Sequence, residues 1–127
     1  KHISAAGILT ATHIDATTLN VTGIGTFQDI NSLSDRRLKE NIKTIENPLE
    51  SISKIRGVDF TFINSGKKSS GVIAQEVEQV MPHLIAGDFP KSVNYNGLIG
   101  LLVESVKDLK SQNEELTRRI EKLEKDK

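Results

Sequence analysis

From Ile99 onward the apolar residues recur in heptads: Ile99, Val106, Asn113 and Ile120 take one seam position, and Leu102, Leu109, Leu116 and Leu123 take the other. A stripe of two positions in seven is too narrow for ordinary globular packing and suits a coiled coil. The competing reading is one amphipathic helix lying on its own domain, but beyond Lys110 the remaining positions are nearly all polar. A chain carrying such a helix is expected to associate with copies of itself. Ile at one seam with Leu at the other favours a parallel dimer by the simplest rule, yet the polar Asn113 sets register and complicates that assignment. Pattern alone leaves the number of strands open.

The opposite end has a different character. The first thirty or so residues are rich in Thr, Ala, Gly and Ile and carry few charges, and Gly7-Ile8-Leu9-Thr10-Ala11 is echoed sixteen residues later by Gly23-Ile24-Gly25-Thr26-Phe27. Between them runs the β-branched stretch Ala16-Thr17-Thr18-Leu19-Asn20-Val21-Thr22. Thr- and Val-rich segments broken by glycine suit an elongated β structure, but so few residues cannot bury enough apolar surface to order themselves alone. They need further repeats or other copies of the chain; the alternative is a flexible linker, since Gly, Ser and Thr are also linker residues.

Between these ends the sequence predicts a small mixed unit. Asn47 is placed to cap a helix with Pro48 in its first turn, Leu49, Ile52 and Ile55 on one face and Gly57 just past its end. Val58 to Ile63 alternates with period two, Asn64 to Lys68 carries turn chemistry, and Gly71-Val72-Ile73-Ala74 is a short apolar run, together suggesting a β-hairpin. Gln75 to Val80 reads as one or two helical turns ended by Pro82, and Phe89 to Tyr95 as irregular or a short strand.

Charge and composition exclude several function classes. Seventeen basic side chains balance seventeen acidic ones, so no net field draws the chain to nucleic acid or an anionic membrane. No stretch reaches the roughly 20 apolar residues that span a bilayer, and the first residues lack the layout of a signal peptide; a soluble protein is expected. Without cysteine there is no disulfide framework, thiol nucleophile or thiolate metal site. His2, His13 and His83 are scattered rather than gathered in a metal motif, and neither a metal nor another cofactor is expected. One tyrosine, four phenylalanines and no tryptophan provide no aromatic platform for a sugar.

Candidate chemistry centres on Ser34 and Lys39. A lysine serves as general base for a serine when burial or nearby cations make the neutral amine available, and Arg36 and Arg37 stand close in sequence. On spacing alone a lysine five residues after a serine is commonplace, and Ser34-Asp35 could equally form a helix cap. Taken in order, however, Ser34-Asp35-Arg36-Arg37-Leu38-Lys39-Glu40-Asn41-Ile42, then Gly71-Val72-Ile73-Ala74-Gln75-Glu76-Val77-Glu78, then Pro82 and Val93-Asn94-Tyr95 make a set. It resembles the intramolecular chaperone domain of phage tail fibres, tailspikes and endosialidases, the S74 peptidase family. The resemblance runs from Ser34 to about Leu109, and Asn94 departs from the Asp usual before that tyrosine.

The resemblance implies an α+β chain in an intertwined homotrimer: an N-terminal β stalk over residues 1–33, then an auto-processing chaperone over 34–127, whose residues 98–127 form the coiled-coil helix. It implies a virion tail fibre or spike precursor made in the host cytoplasm, which assembles its own upstream stalk and then cuts itself at Leu33–Ser34. Ser34 would be the nucleophile and Lys39 the base of a Ser-Lys dyad, with Asp35, Arg37, Gln75 and Glu76 at supporting motif positions. An acyl shift at Ser34 and attack from another chain's serine both remain open, and either acts once. The alternatives are a trimerisation or tip module that never cleaves, and the processing domain of a eukaryotic membrane-bound transcription factor, against which the stalk-like segment before Ser34 argues.

Overall fold

In a computed structural model, which describes residue 2 and residues 4–127, the chain divides into two units, residues 1–40 and 41–127. Among its described residues the first unit contains no β-strand and a single 3-10 turn, Arg36–Leu38. Its apolar side chains, among them Ile8, Leu19, Ile24 and Phe27, stand in the open.

The second unit opens on α1, Pro48–Ile52. Asn47 is its first cap residue, but in the left-handed conformation (φ 49°) and without a side-chain bond to the helix, contrary to the expected side-chain cap. Asn tolerates this backbone better than most residues. The helix is also shorter than its apolar spacing suggests. Lys54 and Ile55 donate their N–H groups three residues back, to Ser51 and Ile52, so the chain tightens before Gly57.

A two-stranded antiparallel hairpin follows, β1 (Val58–Thr61) with β2 (Lys68–Gly71), in the register Val58 with Gly71 through Thr61 with Lys68. The second strand is not the apolar run 71–74 that the pattern singled out but the polar Lys68-Ser69-Ser70 ahead of it. The turn decides this: Phe62 N–H bonds Lys67 O, Gly66 N–H bonds Phe62 O, and Gly66 takes φ 70°, where glycine carries no steric cost. That register leaves Val72 and Ile73 to lead into α2, Ala74–Glu78. The chain then breaks at Pro82 into a second 3-10 turn, Pro82–Leu84. A minimal antiparallel pair, β3 (Ile85–Ala86) with β4 (Ser92–Val93), returns it to α3, Tyr95–Lys125. At 1.5 Å per residue α3 is about 46 Å long.

The core is small. Val77, Met81, Leu84 and Leu101 are buried, with Ile45, Ile52, Ile55, Val72, Val80, Ile85 and Leu98 packed around them. α3 supplies Leu101, 1% exposed, and packs against α1 and the Pro82–Leu84 turn. Gly97 lies so close to Leu84 that a Cβ there would meet the leucine methyls. The heptad residues lie on another side of the same helix: the seven apolar ones are each 49% to 66% exposed, and Asn113 is exposed as well. At 100° per residue the mean direction of Leu98, Leu101 and Ser105 and that of the eight seam residues differ by roughly 70°. The helix thus packs one face on its own domain and leaves the heptad stripe uncovered.

Candidate active site

The Ser34 segment is shaped by its own polar groups. Asp35 caps the Arg36–Leu38 turn: its carboxylate accepts from the Arg37 N–H at 2.8 Å, and its carbonyl accepts from the Leu38 N–H at 3.0 Å. The Arg37 side chain folds back onto the same carboxylate through Nε at 3.1 Å and Nη2 at 2.8 Å. First this guanidinium, then the Arg37 backbone N–H, hold the Asp35 carboxyl below its ordinary range. The turn closes with Lys39 N–H on Arg36 O at 3.1 Å. It carries Lys39 back toward the serine, so that Lys39 Nζ donates to Ser34 Oγ at 2.6 Å. Leu33, on the other side of the Leu33–Ser34 peptide, is 89% exposed.

Four of the residues singled out from sequence thus fall into one short turn: Ser34 with Lys39, and Asp35 with Arg37. The cap and the serine-lysine readings of this motif are compatible, since Asp35 serves as cap and Ser34 is left for the lysine. Two residues further on, Asn41 takes φ 53°, a left-handed conformation that Asn tolerates. A hydroxyl and an amine at hydrogen-bond distance form a pair along which a proton can pass, the first requirement of a serine nucleophile.

Gln75 and Glu76 belong to the other unit, in the first turn of α2. Gln75 is exposed. Glu76 is gripped by Arg56, whose Nε lies 3.0 Å from Oε1 and whose Nη2 lies 2.7 Å from Oε2. Those hydrogen bonds, ahead of the charge attraction, lower the Glu76 carboxyl from its ordinary value and raise Arg56. The rest of the Gly71–Glu78 motif is likewise engaged: Val77 is fully buried, Glu78 accepts from Lys91 Nζ at 3.0 Å, and Val72 N–H donates to Tyr95 Oη at 3.3 Å. Asn94, where Asp was the expected residue, caps α3, its side chain accepting from the Gly97 N–H at 3.4 Å. Capping asks only for a side-chain oxygen, which Asn supplies as well as Asp.

Arg56 and Lys91 were not singled out by sequence reasoning, and Tyr95 entered only as a motif residue without a partner assigned. Their partners lie 20, 13 and 23 residues away, beyond any local periodicity, and only the order of the motif residues hinted that the segments meet. His2, His13 and His83 are exposed. Among the described residues no group of three or more His, Asp or Glu stands placed to hold a metal ion, and no helix is long and apolar enough to cross a membrane.

Residues 34–86 match the family described as chaperone of endosialidase, Peptidase_S74. The matched stretch begins at Ser34 and takes in Asp35, Arg37, Lys39, Gln75 and Glu76. The chain is 35% identical to the long tail fiber protein Gp37 of Salmonella phage S16 over 138 residues, covering 97% of this chain and 17% of that protein. It is 34% identical to the Gp37 of Escherichia phage AR1 over 93 residues, 64% of this chain and 8% of the relative. To the Gp37 of Enterobacteria phage T2 it is 32% identical over 98 residues, 68% of this chain and 7% of the relative. The chain therefore spans less than a fifth of the length of these relatives.

Proposed function

We propose that this chain, whose residues 34–86 match the chaperone-of-endosialidase family, assembles a phage tail fibre as a homotrimer and then releases itself by cutting the Leu33–Ser34 bond. The tail-fibre role rests on the family and on relatives that are long tail fiber proteins. The observation that carries the cutting step is the 2.6 Å contact between Lys39 Nζ and Ser34 Oγ, directly beside the exposed Leu33. Trimerisation rests on the uncovered heptad stripe of α3.

In this reading Ser34 Oγ adds to the Leu33 carbonyl carbon while Lys39 takes the hydroxyl proton. The C–N bond then breaks, and that proton passes to the departing Ser34 amine. Water hydrolyses the resulting ester, leaving a Leu33 carboxylate, a free Ser34 α-amine and a restored hydroxyl. The balance is the same whether Oγ belongs to the same Ser34 or to that of a neighbouring copy. Asp35 and Arg37 hold the turn that brings the two groups together, and Glu76 with Arg56 ties α2 to the segment between α1 and β1; these are positioning roles.

Joining the chains through α3 first raises their effective concentration and sets their alignment before the stalk segments search for partners, a search that is otherwise slow and exposes unpaired edges. Cutting after assembly removes the easy route back and leaves a product protected by its unfolding barrier.

The test is intact mass under denaturing conditions of the folded wild type, Ser34→Ala and Lys39→Ala. The expected result is a fragment ending at Leu33 and one beginning at Ser34 in wild type alone, with all three proteins assembled. One uncut mass in an assembled wild type would favour the second reading, a trimerisation or tip module that stays on the fibre, which the long tail fiber names of the relatives support.

A further inference from the structure

With Ile99, Val106, Asn113 and Ile120 at one seam position and the four leucines at the other, the residues flanking the seam are Leu98, Ser105, Gln112 and Arg119 on one side and Val103, Lys110, Thr117 and Glu124 on the other. In a parallel coiled coil each residue of the first set meets, on the neighbouring helix, the residue of the second set five positions on. Leu98 and Ser105 are turned into their own domain, with Ser105 4% exposed. Beyond the domain two flanking combinations remain, Gln112 with Thr117 and Arg119 with Glu124, and only the second brings opposite charges together.

The single chain leaves both members of that pair with capacity for a partner. Glu115 already takes Arg118 through two bonds, at 3.0 and 2.7 Å, and Arg119 Nε at 3.0 Å. One carboxylate thus serves two guanidinium groups, and Arg119 keeps most of its five N–H donors. Glu124 forms no ion pair within its own chain among the described residues. Five residues along a helix separate side chains by about 140°, so Arg119 cannot satisfy the Glu124 of its own chain.

We propose that Arg119 of one copy pairs with Glu124 of the next, and that this pair, with the Asn113 layer, selects the parallel, unshifted alignment of the homotrimer. A shift by one heptad would set Arg119 against Thr117 and Asn113 against Val106 or Ile120. An antiparallel arrangement would place Asn113 opposite a leucine. Either leaves an amide in the seam without its like. The unshifted alignment sets the three Leu33–Ser34 bonds at equal distance along their chains from the first contact, so each copy reaches its cleavage site on the same footing. This deepens the proposed trimer and rests on it.

The experiment compares full-length wild type, Arg119→Glu, Glu124→Arg and the double exchange by sedimentation across a dilution series. Each single exchange is expected to raise the concentration of half-assembly at least tenfold, and the double exchange to bring it back within about threefold of wild type. The rescue cannot come from Glu115, which still faces a like charge at residue 119 in the double variant. Any gain of the introduced arginine against Glu121 within one helix is subtracted by the Glu124→Arg single in the cycle. A double variant no better than the summed singles, in an assembling wild type, overturns the pairing alone. A wild type that sediments as a monomer overturns the trimer and the pairing together. In a chain without cysteine, Asn113→Cys adds an independent reading: a disulfide between copies on mild oxidation supports the unshifted parallel alignment, and its absence in assembled protein counts against it.

Discussion

Asp35 and Glu76 are both held below the usual carboxylate range, by Arg37 and by Arg56. A carboxylate whose folded value is depressed stabilises the fold above its unfolded value, near 4.3 for Glu, and loses that contribution as pH falls through the folded value. The melting midpoint is therefore expected to be flat from about pH 8 to 5 and to fall below about pH 4.5. Arg56→Gln is expected to lower it at pH 7 by a few degrees at most, since Arg56 is well exposed, and to bring variant and wild type together at pH 3. A gap that persists at pH 3 would assign Arg56 a packing role instead. At Gly71 a Cβ would stand 2.5 Å from Tyr95 Oη, so Gly71→Ala should displace that hydroxyl from Val72 N–H and cost about 0.5–1.5 kcal/mol. With one tyrosine and no tryptophan in the chain, tyrosine fluorescence reads the displacement directly. The five-residue spacing of Ser34 and Lys39 is commonplace by itself, and the pair was legible only through the order of the motifs that resemble the family. The contacts of Arg56 with Glu76 and of Tyr95 with Val72 were not legible, because the fold brings those partners together.

Helix α3 packs one face on its own domain and leaves its heptad stripe exposed, and substitutions separate the core contribution of the first from the proposed assembly role of the second. Leu101→Ala removes a side chain buried in the domain core, where such truncations cost about 2–5 kcal/mol, and should lower stability at every protein concentration. Leu109→Ala truncates a seam residue that is 54% exposed in the single chain. It should leave the isolated domain's circular dichroism unchanged and act only on assembly, visible as a melting midpoint that falls more steeply with dilution than in wild type. Equal behaviour of the two variants would mean that the stripe has no role beyond its own chain. The heptad was readable because it repeats four times along one helix. The hairpin register was not: the apolar run 71–74 attracts a strand assignment, yet its residues are needed on the approach to α2, and the Gly66 turn assigns pairing to the polar residues before them.

Four buried hydrophobic side chains are a modest core for a unit of this size, and small cores are commonly completed by assembly. The large apolar side chains described in the first unit are exposed. On the proposed function, the fraction of chains cut at Leu33–Ser34 should therefore decline as refolding is carried out at greater dilution, and a Leu109→Ala, Leu116→Ala double variant should stay uncut with Ser34 and Lys39 intact. Mass spectrometry on a dilution series checks both; cutting that ignores dilution and survives the double variant would uncouple the chemistry from assembly. By itself the sequence determined whatever depends on near neighbours or on repetition: the heptad stripe, the turn at Ser34 to Lys39, the polar punctuation of the hairpin and the order of the motifs. Only the tertiary structure decided which face of α3 the domain covers, that Arg56 holds Glu76, that Tyr95 reaches Val72 and which residues form β2. Each of those contacts joins segments far apart along the chain, and which far pairs meet is settled by packing around Val77, Met81, Leu84 and Leu101 rather than by any local preference.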